Sequence, residues 1–151
     1  GEVRLKNAYI IKAESCTKDD NGNITEVQCT YDPLSKSGSG TEESLRKVKG
    51  TLHWVSQQHA LKAKVRLYDR LFTDPTPDAH KDKDFMDFIN PNSLEEITAY
   101  VEPSLADATE GARFQFQRMG YFVVDQDSSS DELVFNKTTG LRDTWSKLDV
   151  S

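Results

Sequence analysis

Phe114-Gln115-Phe116-Gln117-Arg118-Met119-Gly120-Tyr121-Phe122 alternates aromatic and polar letters and runs on into Val123-Val124. Successive side chains of a β-strand point to opposite faces, so Phe114 and Phe116 turn toward a core while Gln115 and Gln117 project together from the other face, followed by Arg118. The same period-two pattern recurs outward in both directions, in short runs rich in β-branched and aromatic residues that are separated by Gly, Pro, Asn, Asp and Ser. It predicts strands over residues 2–14, 24–31, 48–55, 63–72, 94–101, 112–118, 121–125, 132–136 and 141–145. Strands this short at this spacing predict an all-β, mostly antiparallel fold of the barrel kind. Helical signals are confined to residues 84–89 and to a short turn opened by Ser104 and closed before Gly111.

The 151 residues, 36% of them hydrophobic, suffice for one domain or two small barrels, and polar Gln57-Gln58-His59 place the seam near residues 56–61. No apolar run approaches the roughly 20 residues that span a bilayer, so no membrane partner is expected. The start, Gly1-Glu2-Val3-Arg4, has neither the apolar core of a signal peptide nor a basic transit segment, and it lacks an initiator Met. The chain is therefore expected to be a piece of a longer cytoplasmic protein whose chemistry lies elsewhere. The loop Ser35-Lys36-Ser37-Gly38-Ser39-Gly40-Thr41 reads as mobile and tolerant of change.

A net charge of -6 argues against broad electrostatic capture of nucleic acid. A polyanion would have to be held by a local patch, and basic residues cluster at Arg4, Lys6 and Lys12, at Arg46, Lys47 and Lys49, and at Lys62, Lys64, Arg66 and Arg70. Each cluster by itself also fits a solvated strand face. Cys16 and Cys29 flank the turn signal Asn21-Gly22-Asn23. A two-residue type I′ turn at Asn21-Gly22 would set Cys16 opposite Val27 and Cys29 opposite Glu14, leaving reduced thiols without metal or redox spacing.

Most apparent motifs carry little chemistry. Leu34-Ser35-Lys36-Ser37 and Gly38-Ser39-Gly40 look like fragments of phosphate loops but lack the strand-loop-helix unit whose N–H groups converge on an anion. His53, His59 and His80 have no zinc-pair spacing, and Ser56-Gln57-Gln58-His59 has no nucleophile-elbow context. The carboxylate pairs Asp82/Asp84 and Glu95/Glu96 lie in segments too polar for burial to raise a pKa. The strand faces are more informative. Val3-Arg4-Leu5-Lys6 sets two cations on one face, and Gln115, Gln117 and Arg118 set amides beside a cation. Such a pairing suits reading a base edge while holding its phosphate, and unpaired RNA bases expose those edges.

Five stretches, in order, closely resemble the C-terminal anticodon-binding region of the glutaminyl-tRNA synthetase family: residues 3–12, 47–56, 66–72 (Arg66-Leu67-Tyr68-Asp69-Arg70-Leu71-Phe72), 114–122 and 141–145. They cover nearly the whole chain. The resemblance implies two six-stranded antiparallel β-barrels of the ribosomal protein L25-like type. Residues 1–56 would be the later part of an incomplete anticodon-distal barrel, residues 57–147 a barrel nearer the catalytic core, and residues 148–151 a tail. It also implies a monomeric parent that attaches glutamine to tRNA(Gln) using ATP with Mg in a catalytic domain outside this chain, which itself would hold no cofactor, no catalytic residue and no metal.

Carried over motif by motif, the resemblance makes Arg4 and Lys6 the cationic pair beside the first anticodon base. Lys6 replaces an Arg, which exchanges a planar fork for a point donor. Gln115 would contact the middle base, U in both glutamine anticodons, with Arg118 in the same pocket. Gln117 stands where the family has Glu, a neutral donor-acceptor in place of a charged acceptor. Arg142 and Thr144 fall in the last matching motif near the same loop. Trp54, Tyr68, Phe72 and Trp145 are expected in barrel cores or the seam rather than under bases. The alternatives are the anticodon-binding region of a eukaryote-type glutamyl-tRNA synthetase, a free-standing L25-like rRNA-binding protein, and a carbohydrate-binding or protein-docking β domain using Trp54 or Trp145.

Overall fold

The computed structural model describes residues 1–141 and is mostly β, divided into two compact units, Gly1–Trp54 and Val55–Ser151. The first unit holds β1 (Glu2–Leu5), β2 (Ile10–Lys18), β3 (Ile24–Tyr31), the one-turn helix α1 (Glu42–Leu45) and β4 (Thr51–Leu52). Its sheet has the order β3-β2-β1-β4. The single strand expected over residues 2–14 is instead a hairpin: Asn7 sits at φ 58, the Ala8 N–H donates to the Leu5 carbonyl at 2.9 Å, and Val3 comes opposite Ile11. Asn tolerates this left-handed backbone better than most residues, and alternation gives no sign of a reversal that keeps the pattern on both arms.

The β2–β3 turn also differs from the two-residue form. Gly22 takes the left-handed position at φ 83, its N–H donates to the Asp19 carbonyl, and the Asp19 N–H donates to Asn23. This is a three-residue loop ending in a glycine bulge. A second irregularity lets Glu14 drop out of register, so Cys16 does face Val27 but Cys29 faces Ala13 rather than Glu14. Both thiols are free and exposed.

The loop after β3, expected to be mobile, is anchored at Ser35, Ser37 and Thr41. Ser35 is fully buried; its hydroxyl accepts the Ile10 N–H at 2.8 Å and donates to the Asp32 carbonyl at 2.6 Å. Ser37 donates from both its N–H and its hydroxyl to the Ala8 carbonyl, and the Thr41 hydroxyl caps α1 by accepting the Ser44 N–H. Small polar side chains here satisfy backbone groups, a use that composition does not distinguish from disorder. Ser35→Ala, which strands the Ile10 N–H, is expected to cost about 1–3 kcal/mol. A urea titration that shows less than a few tenths would refute that account of the loop.

The second unit holds β5 (Leu61–Tyr68), β6 (Leu94–Val101), β7 (Arg113–Phe116), β8 (Gly120–Val124) and β9 (Leu133–Thr139), ordered β6-β5-β9-β8-β7. Its core gathers Ala63, Val65, Val101, Phe122, Val124, Leu133 and Phe135, with Phe114 and Phe116 packed against them. Phe116 stacks on Phe122 at 4.4 Å between ring centroids, and Phe135 meets Phe116 edge-on at 5.2 Å. The helical signals resolve into 3-10 turns, Phe85–Phe88 capped by Asp84 and Pro103–Leu105, the latter following Glu102 rather than capped by Ser104. Two strand pairs, β1 with β4 and β5 with β9, are parallel, against the antiparallel expectation. Long connections join both pairs, and only such connections permit parallel pairing. Among the described residues neither sheet closes into a barrel, and the expected strand over residues 141–145 falls almost wholly outside them.

Candidate nucleic-acid interface

Arg4 of β1 and Lys6 just after it have different fates. Lys6 is exposed just beyond the strand, whereas the Arg4 guanidinium turns into the first unit. It donates to the Ser35 carbonyl at 2.9 Å, the Ser37 hydroxyl at 3.1 Å, the Ser44 carbonyl at 2.8 Å and, more weakly, the Arg46 carbonyl at 3.4 Å. Arg4 and Lys6, expected to share one strand face, therefore differ in exposure and in partners. The segment 32–46 folds back over that face and supplies acceptors that only a forked donor can gather. Arg46 is likewise committed, to Glu2 and Asp32, whereas its neighbours Lys47 and Lys49 are exposed.

Trp54, expected in a barrel core or at the seam, is the last residue of the first unit. It is 41% exposed, and its indole N–H donates to the Lys6 carbonyl at 3.0 Å.

In the second unit the alternation of Phe114 and Phe116 inward with Gln115 outward is present as read. Gln117, however, belongs to the turn rather than to the strand. The Met119 N–H closes that turn on the Phe116 carbonyl at 2.9 Å, with Arg118 at φ 65 in its third position. Positive φ at that position is the mark of a type II turn, where Gly is usual and Arg is strained. Gln115, Gln117, Arg118 and Met119 are all exposed. Arg142 and Thr144 lie outside the described residues.

Two further residues share the outer face with Gln115. Tyr121 stands directly opposite it across the β7–β8 ladder and is 44% exposed; Arg113, two positions along β7, is exposed and makes no ion pair among the described residues. Neither was singled out from the sequence, although the alternation that faces Gln115 outward does the same for Arg113, and a hairpin register would have found Tyr121.

Within the cluster Lys62, Lys64, Arg66 and Arg70, Lys64 and Arg66 have close acidic partners. Arg66 pairs with Glu96 at 3.0 Å, Asp125 at 3.2 Å and Asp127 at 2.8 Å, and Lys64 with Glu132 at 3.4 Å. The hydrogen bonds to Glu96 and then Asp127 push the Arg66 pKa above its ordinary value, while the backbone N–H of Asp127, the Asn136 amide and Arg66 hold the Asp125 carboxyl below its own. These contacts pin the loop after β8 to the sheet. Tyr68, also expected in a core or at the seam, is 54% exposed and donates to Asn136 at 2.9 Å. Phe72, packed edge-on against Phe85 at 6.2 Å, is partly buried, and Trp145 lies outside the described residues.

None of the helices among the described residues is long and apolar enough to cross a membrane, and no group of three His, Cys, Asp or Glu residues there is arranged to hold a metal ion.

Two family models, both described as the anticodon-binding domain of class I tRNA synthetases (E and Q), match residues 1–32 and 51–125. Among curated relatives, the chain is 55% identical over 151 residues to the glutamine–tRNA ligase of Rhodopirellula baltica, covering 99% of this chain and 25% of that protein. It is 54% identical over 149 residues to that of Vibrio parahaemolyticus and 53% identical over 148 residues to that of Escherichia coli, covering 98% and 97% of this chain and 26% of each relative. The chain thus spans about a quarter of the length of the curated relatives it matches. A match to both models in chain order, with identity above one half over nearly the whole chain, means that the chain belongs to the anticodon-binding domain family of class I tRNA synthetases (E and Q).

Proposed function

We propose that this chain grips the anticodon stem-loop of tRNA(Gln) within a cytoplasmic, monomeric glutaminyl-tRNA synthetase, whose attachment of glutamine, using ATP and Mg, takes place in parts of the protein outside these residues. The observation that carries the reading is the β7–β8 hairpin tip. Gln115 is exposed on the face opposite the Phe core, in which Phe116 stacks on Phe122, with Gln117 and Arg118 beside it in a strained turn. A rigid strand offering an amide next to a cation suits one unstacked base whose Watson–Crick edge is free. Gln115 reads the middle base, and Arg118 and Gln117 hold the flanking backbone. Lys6 supplies the cation beside the first base, Arg4 positions the loop against which Lys6 is displayed, and Arg142 and Thr144 contact the same loop of RNA.

Both units are L25-like barrels in this reading. Supporting it for the first, incomplete one, Ile11, Ala13 and Cys16 stand opposite Tyr31, Cys29 and Val27, an apolar stripe in which Tyr31 is 62% and Val27 49% exposed. An inner barrel wall has this character, with the remaining strands supplied from outside the residues 1–56. The second barrel spans 57–147, with a tail at 148–151.

The test is a binding titration of the full-length protein against anticodon stem-loops that differ only at the middle position. Loops with U there should bind best, and Gln115→Ala should cost roughly 1–3 kcal/mol of that preference. Equal affinity for all four bases would sink the reading.

A further inference from the structure

We infer that Tyr121 is the stacking platform for the base whose edge Gln115 reads; this rests on the reading of Gln115 just given. Gln115 and Tyr121 are directly opposed in the β7–β8 ladder, on the face away from the Phe core, and Tyr121 keeps 44% of its surface exposed. Directly opposed strand residues have Cβ atoms about 5 Å apart. A flat ring laid on Tyr121 therefore presents its edge within reach of the Gln115 amide.

An amide alone gives an unstacked base nothing to replace its lost neighbours, whereas an aromatic face does so for any base. The two strand positions that carry amide and ring are held by the packing beneath them. Phe114 stands opposite Phe122 in the same ladder, and Phe116 stacks on Phe122 at 4.4 Å. On the other flank Tyr121 is fixed against β9 by its pairing with Thr139 and by the hydroxyl of Thr138, which donates to the Tyr121 carbonyl at 3.1 Å. The other exposed tyrosines of this sheet, Tyr68 and Tyr100, lie on β5 and β6, with β9 between them and the hairpin, and the Tyr68 hydroxyl is tied to Asn136. The division of labour is thus sharp. Gln115 supplies discrimination among bases, and Tyr121 supplies affinity for a planar ring whatever its identity.

The experiment compares full-length protein with Tyr121→Leu and Tyr121→Phe, each titrated with stem-loops carrying U or dihydrouridine at the middle position. Dihydrouridine keeps the hydrogen-bonding edge of U but has a puckered, non-aromatic ring. The unaltered protein and Tyr121→Phe should bind the dihydrouridine loop about ten-fold more weakly than the U loop. Tyr121→Leu should lose about the same factor for the U loop, bind the two loops alike, and still prefer U over the other standard bases. Circular dichroism identical to the parent checks that the exposed substitution leaves the sheet intact. If the unaltered protein prefers U yet binds U and dihydrouridine loops equally, or if Tyr121→Leu keeps full affinity, the stacking role is overturned while the reading of Gln115 stands. If the unaltered protein shows no middle-base preference at all, that reading fails and the inference falls with it.

Discussion

Arg4→Ala is expected to destabilise the first unit by about 3–4 kcal/mol. The guanidinium is the shared donor for the Ser35, Ser44 and Arg46 carbonyls and the Ser37 hydroxyl, drawing together residues 31 to 42 positions away in sequence. Hydrogen bonds to a charged group contribute more than neutral ones, and acceptors that lose their donor in a half-buried setting pay for desolvation without return. Arg4→Lys should recover less than half of the loss, because a single ammonium cannot reach both ends of the fork's span. Urea unfolding followed by Trp54 fluorescence in a Trp145→Phe background reads this unit specifically. A loss below about 1 kcal/mol would mean that the four contacts are incidental. The same variant separates two accounts of Arg4 in RNA binding. If Arg4 neutralised a phosphate, its removal would lower the salt dependence of binding; as an internal brace, its removal weakens binding while leaving that slope unchanged.

Gly120→Ala should be the most damaging single change in the second unit, at about 4 kcal/mol. Gly120 is buried at φ 138, where an L side chain is strained whatever the space around it, and an added Cβ would stand 2.5 Å from the Thr139 carbonyl oxygen and 3.2 Å from the Lys137 side chain. The lysine tip can move aside. The Thr139 carbonyl cannot, because it belongs to the neighbouring strand of the sheet, so β8 and β9 would have to part next to the Phe116–Phe122 stack. Gly111→Ala is the internal control. Gly111 also has positive φ, at 77, but an added Cβ there meets nothing within 4 Å, so it should cost only about 1 kcal/mol. Urea midpoints for the two variants should therefore differ widely. Equal losses would show that backbone strain alone, rather than the β8–β9 contact, sets the requirement for glycine.

Alternation made several strands readable with little error. Residues 24–31 and 94–101 form β3 and β6 over the expected spans, because each is a single strand bounded by residues that favour turns. Residues 2–14 misled for a physical reason. The reversal at Asn7 leaves Val3 opposite Ile11 within one sheet, so the hydrophobic pattern reads as continuous although the chain doubles back. The Glu14 irregularity escaped notice because a bulge changes register without changing letters, and it moved Cys29 opposite Ala13. The candidate site was legible to a similar degree. Gln115 faces solvent as read, since a strand with two core Phe residues has only one other face to offer, while Gln117 and Arg118 leave the strand and enter its turn.

The sequence by itself determined the all-β class, the inward Phe and outward Gln of β7 and, through five ordered motifs, membership of the anticodon-binding family, because period and motif are local properties of the letters. Only the tertiary structure decided that Arg4 braces a folded segment, that Arg66 is neutralised by three acidic partners, and that Tyr121 stands beside Gln115. Each of those depends on which distant or opposing residue arrives next to it. That is fixed by register, chain reversal and the backbone carbonyls a loop turns toward a donor, none of which alternation encodes.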